Sequence, residues 1–325
     1  MCTYVIAAIL EKMCTKRKHH YVWREYLRSW SCKEKIYSYI KSENKIVEPN
    51  LMGVAQQRFF YSLEEFSIEE ELILNELVRQ YSNSEASLKI NLELLNIYTS
   101  YSRLKRLDKE NTFETNSEKE IEKLAKILEL VRTNLFEEFH SIIENYGKKV
   151  VKIKNFEDIQ MFENDDDLFF TMIFLCSQFL RTKKMKTSLE LVFNKSEFII
   201  PKYTNILSLV FANSLAISLS QNENIKYIFY ENETEIKFLT SDQPLMNLLI
   251  NDKDENGKVK NFELYYPINP KVAIVIHFAN QNLKYERIKI DTQKVTILND
   301  FLFEYAEEFV FADNEEQLIK YKNRR

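Results

Sequence analysis

The sequence predicts an α+β fold: a short N-terminal hairpin, then a helical middle region packed against a mainly antiparallel C-terminal sheet. Three observations lead there. Between about residues 67 and 220 apolar side chains recur at helical spacing, as in Leu72, Leu74, Leu77 and Val78. From Ile225 onward the period changes to short runs rich in β-branched and aromatic residues. No Pro-, Gly- or Ser-rich linker and no internal repeat divides the 325 residues, so residues 18–325 read as one domain after an extension over 1–17.

Taken in order, Lys35–Tyr39 and Lys45–Glu48 read as two short strands around Ser42-Glu43-Asn44. Ser67 with Glu70 three positions on is a capping box that opens the first long helix. Helices are expected at 85–106 and 117–146, the second ending at Gly147, with polar Asp108–Asn116 as an exposed loop between them. Asp165-Asp166-Asp167 place negative charge at the positive end of an apolar helix over Leu168–Thr182. Pro201 suits the first turn of a helix reaching Ser220, apolar on most sides and therefore central to the core. Strands follow at Ile225–Tyr230, Glu235–Leu239, Phe262–Tyr266, Val272–Phe278 and Tyr285–Ile290, and a closing helix over Thr292–Phe309.

Composition narrows the function. An apolar fraction of 45% with 13% aromatics belongs to a folded protein that buries a sizeable core. A net charge of −4 excludes a global pull toward nucleic acid, which leaves local basic patches such as Lys16-Arg17-Lys18 and Lys183-Lys184-Met185-Lys186. The chain has 3 glycines, against roughly 23 at average usage. Neither GxGxxG nor a P-loop can be assembled from them, so no NAD, FAD or P-loop nucleotide is expected. Cys2, Cys14, Cys32 and Cys176 form no CxxC pair, which fits a reducing compartment. The apolar run Tyr4–Leu10 is too short to span a bilayer, and the basic cluster follows it rather than preceding it. A cytoplasmic protein without a membrane partner is expected.

Four short motifs stand out: Lys18-His19-His20-Tyr21-Val22, Gln178-Phe179-Leu180-Arg181-Thr182, Thr240-Ser241-Asp242-Gln243-Pro244 and Tyr266-Pro267-Ile268-Asn269-Pro270. In that order and spacing the chain resembles the bacterial domain-of-unknown-function family 4238 over most of residues 18–320. The family pattern near the first motif is HHYVPRxYLxxF. Here Trp23 stands where that pattern has proline, so the local turn is expected to differ. The resemblance implies the limits of the domain and its polar centre, with a pair of glutamates (Glu69 and Glu76) and Asn299 among the recurrent positions. It implies no reaction.

The motif residues suggest chemistry of their own. In an extended segment His19 and His20 point to opposite faces, so one can face a site while the other supports structure. Gln178 and Arg181 share a helix face and suit a carboxylate, a phosphate or a carbonyl-rich turn. Asp242, at a strand end beside hydroxyls and a proline, suits a metal ligand or general base, and equally a turn that caps its own backbone.

Three readings follow. In the first, the chain is a metal-dependent hydrolase of nucleic acid or nucleotide phosphodiesters. Its catalytic residues are His20, Asp242 and Arg181. A divalent cation (Mg or Mn) sits on His19, Asp242 and Glu76, and Gln178 and Asn299 line the ligand site. By analogy such a chain belongs among bacterial defence or toxin effectors, with a protein partner encoded in the same operon. The second reading is a binding or sensing module for an anionic ligand. The third is structural: the motifs stitch the helical middle to the sheet.

Overall fold

The computed structural model of the chain describes residues 16–109, 118–193, 201–257, 259–279 and 284–323. It opens with strand β1 (Lys18–His20), helix α1 (Arg24–Leu27), the hairpin β2 (Tyr37–Ile40) and β3 (Lys45–Val47), and β4 (Gln56–Arg58). The helical region follows: α2 (Ile68–Tyr81), α3 (Glu85–Tyr98), α4 (Ser100–Lys109), α5 (Glu118–Tyr146), α6 (Asp165–Leu180), α7 (Lys183–Phe193) and α8 (Thr204–Ser220). Next come β5 (Ile225–Asn232), β6 (Thr240–Ser241), β7 (Met246–Asn247), β8 (Glu263–Asn269), β9 (Val272–Phe278) and β10 (Tyr285–Ile290). Helix α9 (Thr292–Tyr305), β11 (Phe309–Ala312) and α10 (Glu315–Lys322) close the chain.

The strands form a five-stranded sheet of order β10-β5-β9-β8-β7, a four-stranded sheet of order β3-β2-β11-β6, and the pair β1-β4. Among the described residues only β10 and β5 run parallel, so the α+β class with mainly antiparallel pairing is as the sequence predicts. The inner strands β5, β9 and β8 of the five-stranded sheet are buried on both faces. Tyr227 and Phe229 of β5 and Ile274 of β9 join the core beneath the helices. Ile228, Tyr230 and Val275 point the other way, toward Val295, Leu298 and Leu302 of α9. Burial on both sides explains why β5 and β9 read as nearly continuous apolar runs rather than alternating ones.

In the helical layer α6 packs along α8. Helix α8 fulfils its expected place at the centre: an 18-residue window within Pro201–Ser220 has a mean hydropathy of 1.3 and is 72% buried inside the protein, as a core helix is. Ser67 caps α2 as expected, its hydroxyl accepting from the Glu70 N–H while the Glu70 carboxylate accepts from the Ser67 N–H.

Three boundaries differ from expectation. The helix foreseen over 85–106 is two, because Thr99 interrupts it and turns its hydroxyl back onto the Leu95 carbonyl. Asp108 lies within α4, while 110–116 of the expected loop lie outside the described residues. The closing helix stops at Tyr305 because Ala306 leaves helical geometry (φ −56°, ψ 142°), and Phe309–Ala312 becomes a central strand between β2 and β6.

Glu235–Leu239 is not a strand. Its backbone groups are taken by side chains: Gln317 accepts from the Lys237 N–H, Asn299 Oδ1 accepts from the Leu239 N–H (2.9 Å), and Asn299 Nδ2 donates to the Lys237 carbonyl (2.8 Å). Trp30 adds a bond from its indole N–H to the Phe238 carbonyl. Asn299 thus imitates a neighbouring strand. Asn299→Ala is expected to lower stability by about 2–4 kcal/mol, since it orphans a buried donor and a buried acceptor. A urea midpoint within experimental error of the parent would refute that role.

Candidate functional site

Several motif residues are scaffold. Tyr26 of α1 is fully buried, and its hydroxyl bonds Thr240 Oγ1 (2.6 Å) and the Pro267 carbonyl (2.8 Å), joining three motif regions at one point. Gln243 ties in the remaining motif: its Nε2 donates to the Phe179 carbonyl (3.0 Å), and its Oε1 accepts from the Thr182 hydroxyl. Asp242 is 2% exposed, and its carboxylate accepts from the backbone N–H groups of Glu307 (3.0 Å), Glu308 (2.6 Å) and Phe309 (3.1 Å). It caps the approach to β11. Burial pushes its pKa up to about 6, against the three N–H donors.

The two histidines of β1 divide as their alternation predicts. His19 is fully buried; its Nδ1 accepts from the Tyr61 N–H (2.9 Å), and its Nε2 lies 3.1 Å from the Lys16 carbonyl. Glu76 stands on the exposed side of α2. The set expected to hold a cation is therefore not brought together: His19 and Asp242 are occupied by backbone, and Glu76 faces solvent. Among the described residues no group of three His, Cys, Asp or Glu side chains is placed to hold a metal ion. Asn299, expected to line the ligand site, is occupied by the backbone of Lys237 and Leu239 instead.

His20, Gln178 and Arg181 have a different setting. Beside them opens a cleft of about 1100 Å³, lined by His20, Trp23 and Arg24 from the N-terminal segment and by Glu137, Ser141 and Glu144 from α5. The spacing of those three α5 residues places them on one helix face. Trp23 has φ −63° and ψ 124°. A proline fixes nearly this φ, so the backbone here is one that the proline of the family pattern could also adopt. The Trp23 ring packs edge-on against Phe174 of α6 (5.4 Å between centroids).

Arg181 caps the C-terminus of α6, and its side chain is 2% exposed. Its Nη2 meets Glu144 Oε1 at 2.7 Å and Gln178 Oε1 at 3.2 Å. Its Nε and Nη1, the Gln178 Nε2 and the His20 Nε2 are buried without hydrogen-bond partners. The carboxylate that Arg181 meets is Glu144, from α5.

Electrostatics separate the groups. Burial pushes the Glu137 carboxyl up to about 7, helped by the nearby charge of Glu144 and opposed by Arg181 and Lys16. Burial also raises Glu144, but Arg181 works against it through both its charge and its hydrogen bond. Burial lowers His20 to about 4, and the neighbouring Arg24 adds to this, so its ring is neutral near pH 7. Two carboxyls with unlike environments and a neutral imidazole are the ingredients of acid–base chemistry. Around them Lys18, Arg24, Lys148 and Lys152 line the cleft and make no ion pair with other described residues.

Glu137 and Glu144 were missed in the sequence. Their signal, two glutamates seven positions apart on one helix face, is the same one read at Glu69 and Glu76, and α5 carries many other glutamates that hide it.

No curated protein and no solved structure matches this chain. The model of one family, described as "Protein of unknown function (DUF4238)", matches residues 18–316 and takes in all four motifs, the cleft-lining helices and both larger sheets. With that match over most of its length, the chain belongs to the DUF4238 family.

Proposed function

We propose that the cleft is the active site of a hydrolase acting on the phosphodiesters of nucleic acid or nucleotides. One observation carries the reading: Glu137 and Glu144, held in unlike protonation environments, line the same cleft as a neutral His20, among Lys18, Arg24, Lys148 and Lys152. The cations supply the attraction for a phosphate backbone that the net charge of the whole chain does not. Glu137, protonated near neutral pH, donates to the leaving oxygen, while His20 accepts the proton of the attacking water. Arg181, fixed by Glu144 and Gln178, adds positive potential from below. Burial, with the charge of Arg24 beside it, holds the imidazole unprotonated and ready to act as base.

The expected divalent cation, the cytoplasmic setting, the link to bacterial defence and a partner from the same operon belong to this proposal as context. They carry no step of it. The test uses labelled single- and double-stranded oligonucleotides and dinucleotides, each with Mg²⁺, with Mn²⁺ and with a chelator. Hydrolysis by the parent protein, reduced about 10²–10⁴-fold in His20→Ala, supports the reading. A saturable thermal shift by the same compounds without any product would replace it with the sensing module.

A further inference from the structure

Helix α5 has a second lined face. Phe139, Ile142, Ile143 and Tyr146 border a pocket of about 470 Å³, to which α3, α6 and α8 add the remaining walls. Helical spacing sets these four residues opposite Glu137, Ser141 and Glu144, so the pocket and the cleft lie on different sides of α5. The volume is in the usual range of small-molecule sites, about 300–1,000 Å³.

Most of the lining is apolar. Leu94, Ile97, Ile143 and Ile173 are buried, whereas the Phe170 ring remains 39% exposed. A ligand covering that ring and the half-buried Phe139 and Phe169 would take apolar surface out of water.

The polar groups favour one sign of charge. Asn213, from α8, is 5% exposed, and its Nδ2 donates to Asn91 Oδ1 (3.0 Å). Asn91 is itself held in this orientation, because its Nδ2 donates to the Val210 carbonyl (3.4 Å). Asn213 Oδ1 is left as an acceptor that receives no hydrogen bond from a described residue. Glu93 lines the pocket from an exposed position and makes no ion pair among the described residues. No described lysine, arginine or histidine lines it, and the guanidinium of nearby Arg103 is spent on the Asn96 carbonyl. The Asn96 side chain, also in the lining, can serve either way.

We propose that this pocket binds a small organic cation: an amine on an aliphatic or aromatic body, the body against the apolar walls and the ammonium toward Glu93 and Asn213 Oδ1. Aromatic faces attract a cation as well. A carboxylate ligand would meet an acceptor and a like charge instead. The site is outside the cleft and stands whether or not the hydrolase reading does.

The experiment is calorimetric titration of the full chain with decylamine, decanol and decanoate, which share a chain length and differ in the head group. Expected is one decylamine per protein, bound about tenfold more tightly than decanol at low salt, with decanoate weaker still. Glu93→Gln, at an exposed position, should bring decylamine to the level of decanol. Ile90→Trp, which fills the pocket from α3, should remove binding of all three. Decanoate binding as tightly as decylamine would overturn the proposal, as would no saturable binding or an amine preference that Glu93→Gln keeps in full. Dimerisation that Ile90→Trp abolishes would assign the face to a second copy of the chain instead, and probe binding that appears only after removal of residues 1–15 would assign it to that segment.

Discussion

Arg181→Met is expected to destabilise the protein by about 3–5 kcal/mol, the range for removing one partner of a buried ion pair. The Arg181 side chain is 2% exposed and Glu144 18%, so the substitution strands a largely buried carboxylate. Gln178 loses an acceptor's partner at the same time. The double variant Arg181→Met, Glu144→Gln should regain most of the loss, because neither residue then buries an uncompensated charge. It should not regain hydrolysis. Chemical denaturation of the four proteins of this cycle measures the coupling. A single-variant loss below about 1 kcal/mol would place Arg181 with ordinary surface pairs and remove it from the centre of the site.

Glu137→Gln is expected to act in two opposite directions. Hydrolysis should fall by at least about 10²-fold with little change in KM, since an amide cannot supply the proton but keeps the shape. In the parent protein kcat/KM should decline as pH rises through about 7, where Glu137 loses that proton.

Stability should move the other way. The ordinary glutamate value is 4.5 and the folded value is about 7, so the native state holds the proton more tightly than the unfolded chain. The stability this contributes is present below the unfolded pKa and is lost as pH rises through the folded one. At pH 8 the parent carries a buried carboxylate that the variant lacks, and Glu137→Gln should be more stable by about 1–3 kcal/mol, with the advantage gone at pH 4. His20 titrates in the opposite sense but is common to both proteins and cancels in the difference. A variant inactive because it is misfolded would be less stable at every pH. A fully active variant would end the role of Glu137 as the acid.

Sequence and structure contributed different things to this picture. Helix caps, periodicities and the change to strands near Ile225 are local properties, and the elements they predict are present: the capping box at Ser67, the buried helix after Pro201, and strands β5, β8, β9 and β10. The alternation of His19 and His20 was legible for the same reason, because adjacent residues of a strand face opposite ways. The four motifs identified the family, whose model matches residues 18–316.

What the sequence could not express was partnership across distance. Glu144 is 37 positions from Arg181, and the Glu307–Phe309 backbone that occupies Asp242 is some 65 positions away. Whether a carboxylate is a ligand, a base or a cap depends on which donors the fold brings to it, and each candidate carries the same letter in every role. The strand expected over Glu235–Leu239 failed on the same ground, since Asn299 and Gln317 arrive from later helices to satisfy its backbone. Composition, period and motif order therefore determined the class, the family and most elements of this protein. Burial and long-range hydrogen bonding, which exist only once the chain is folded, decided that Asp242, His19 and Asn299 hold the structure together while His20, Glu137 and Glu144 face the cleft.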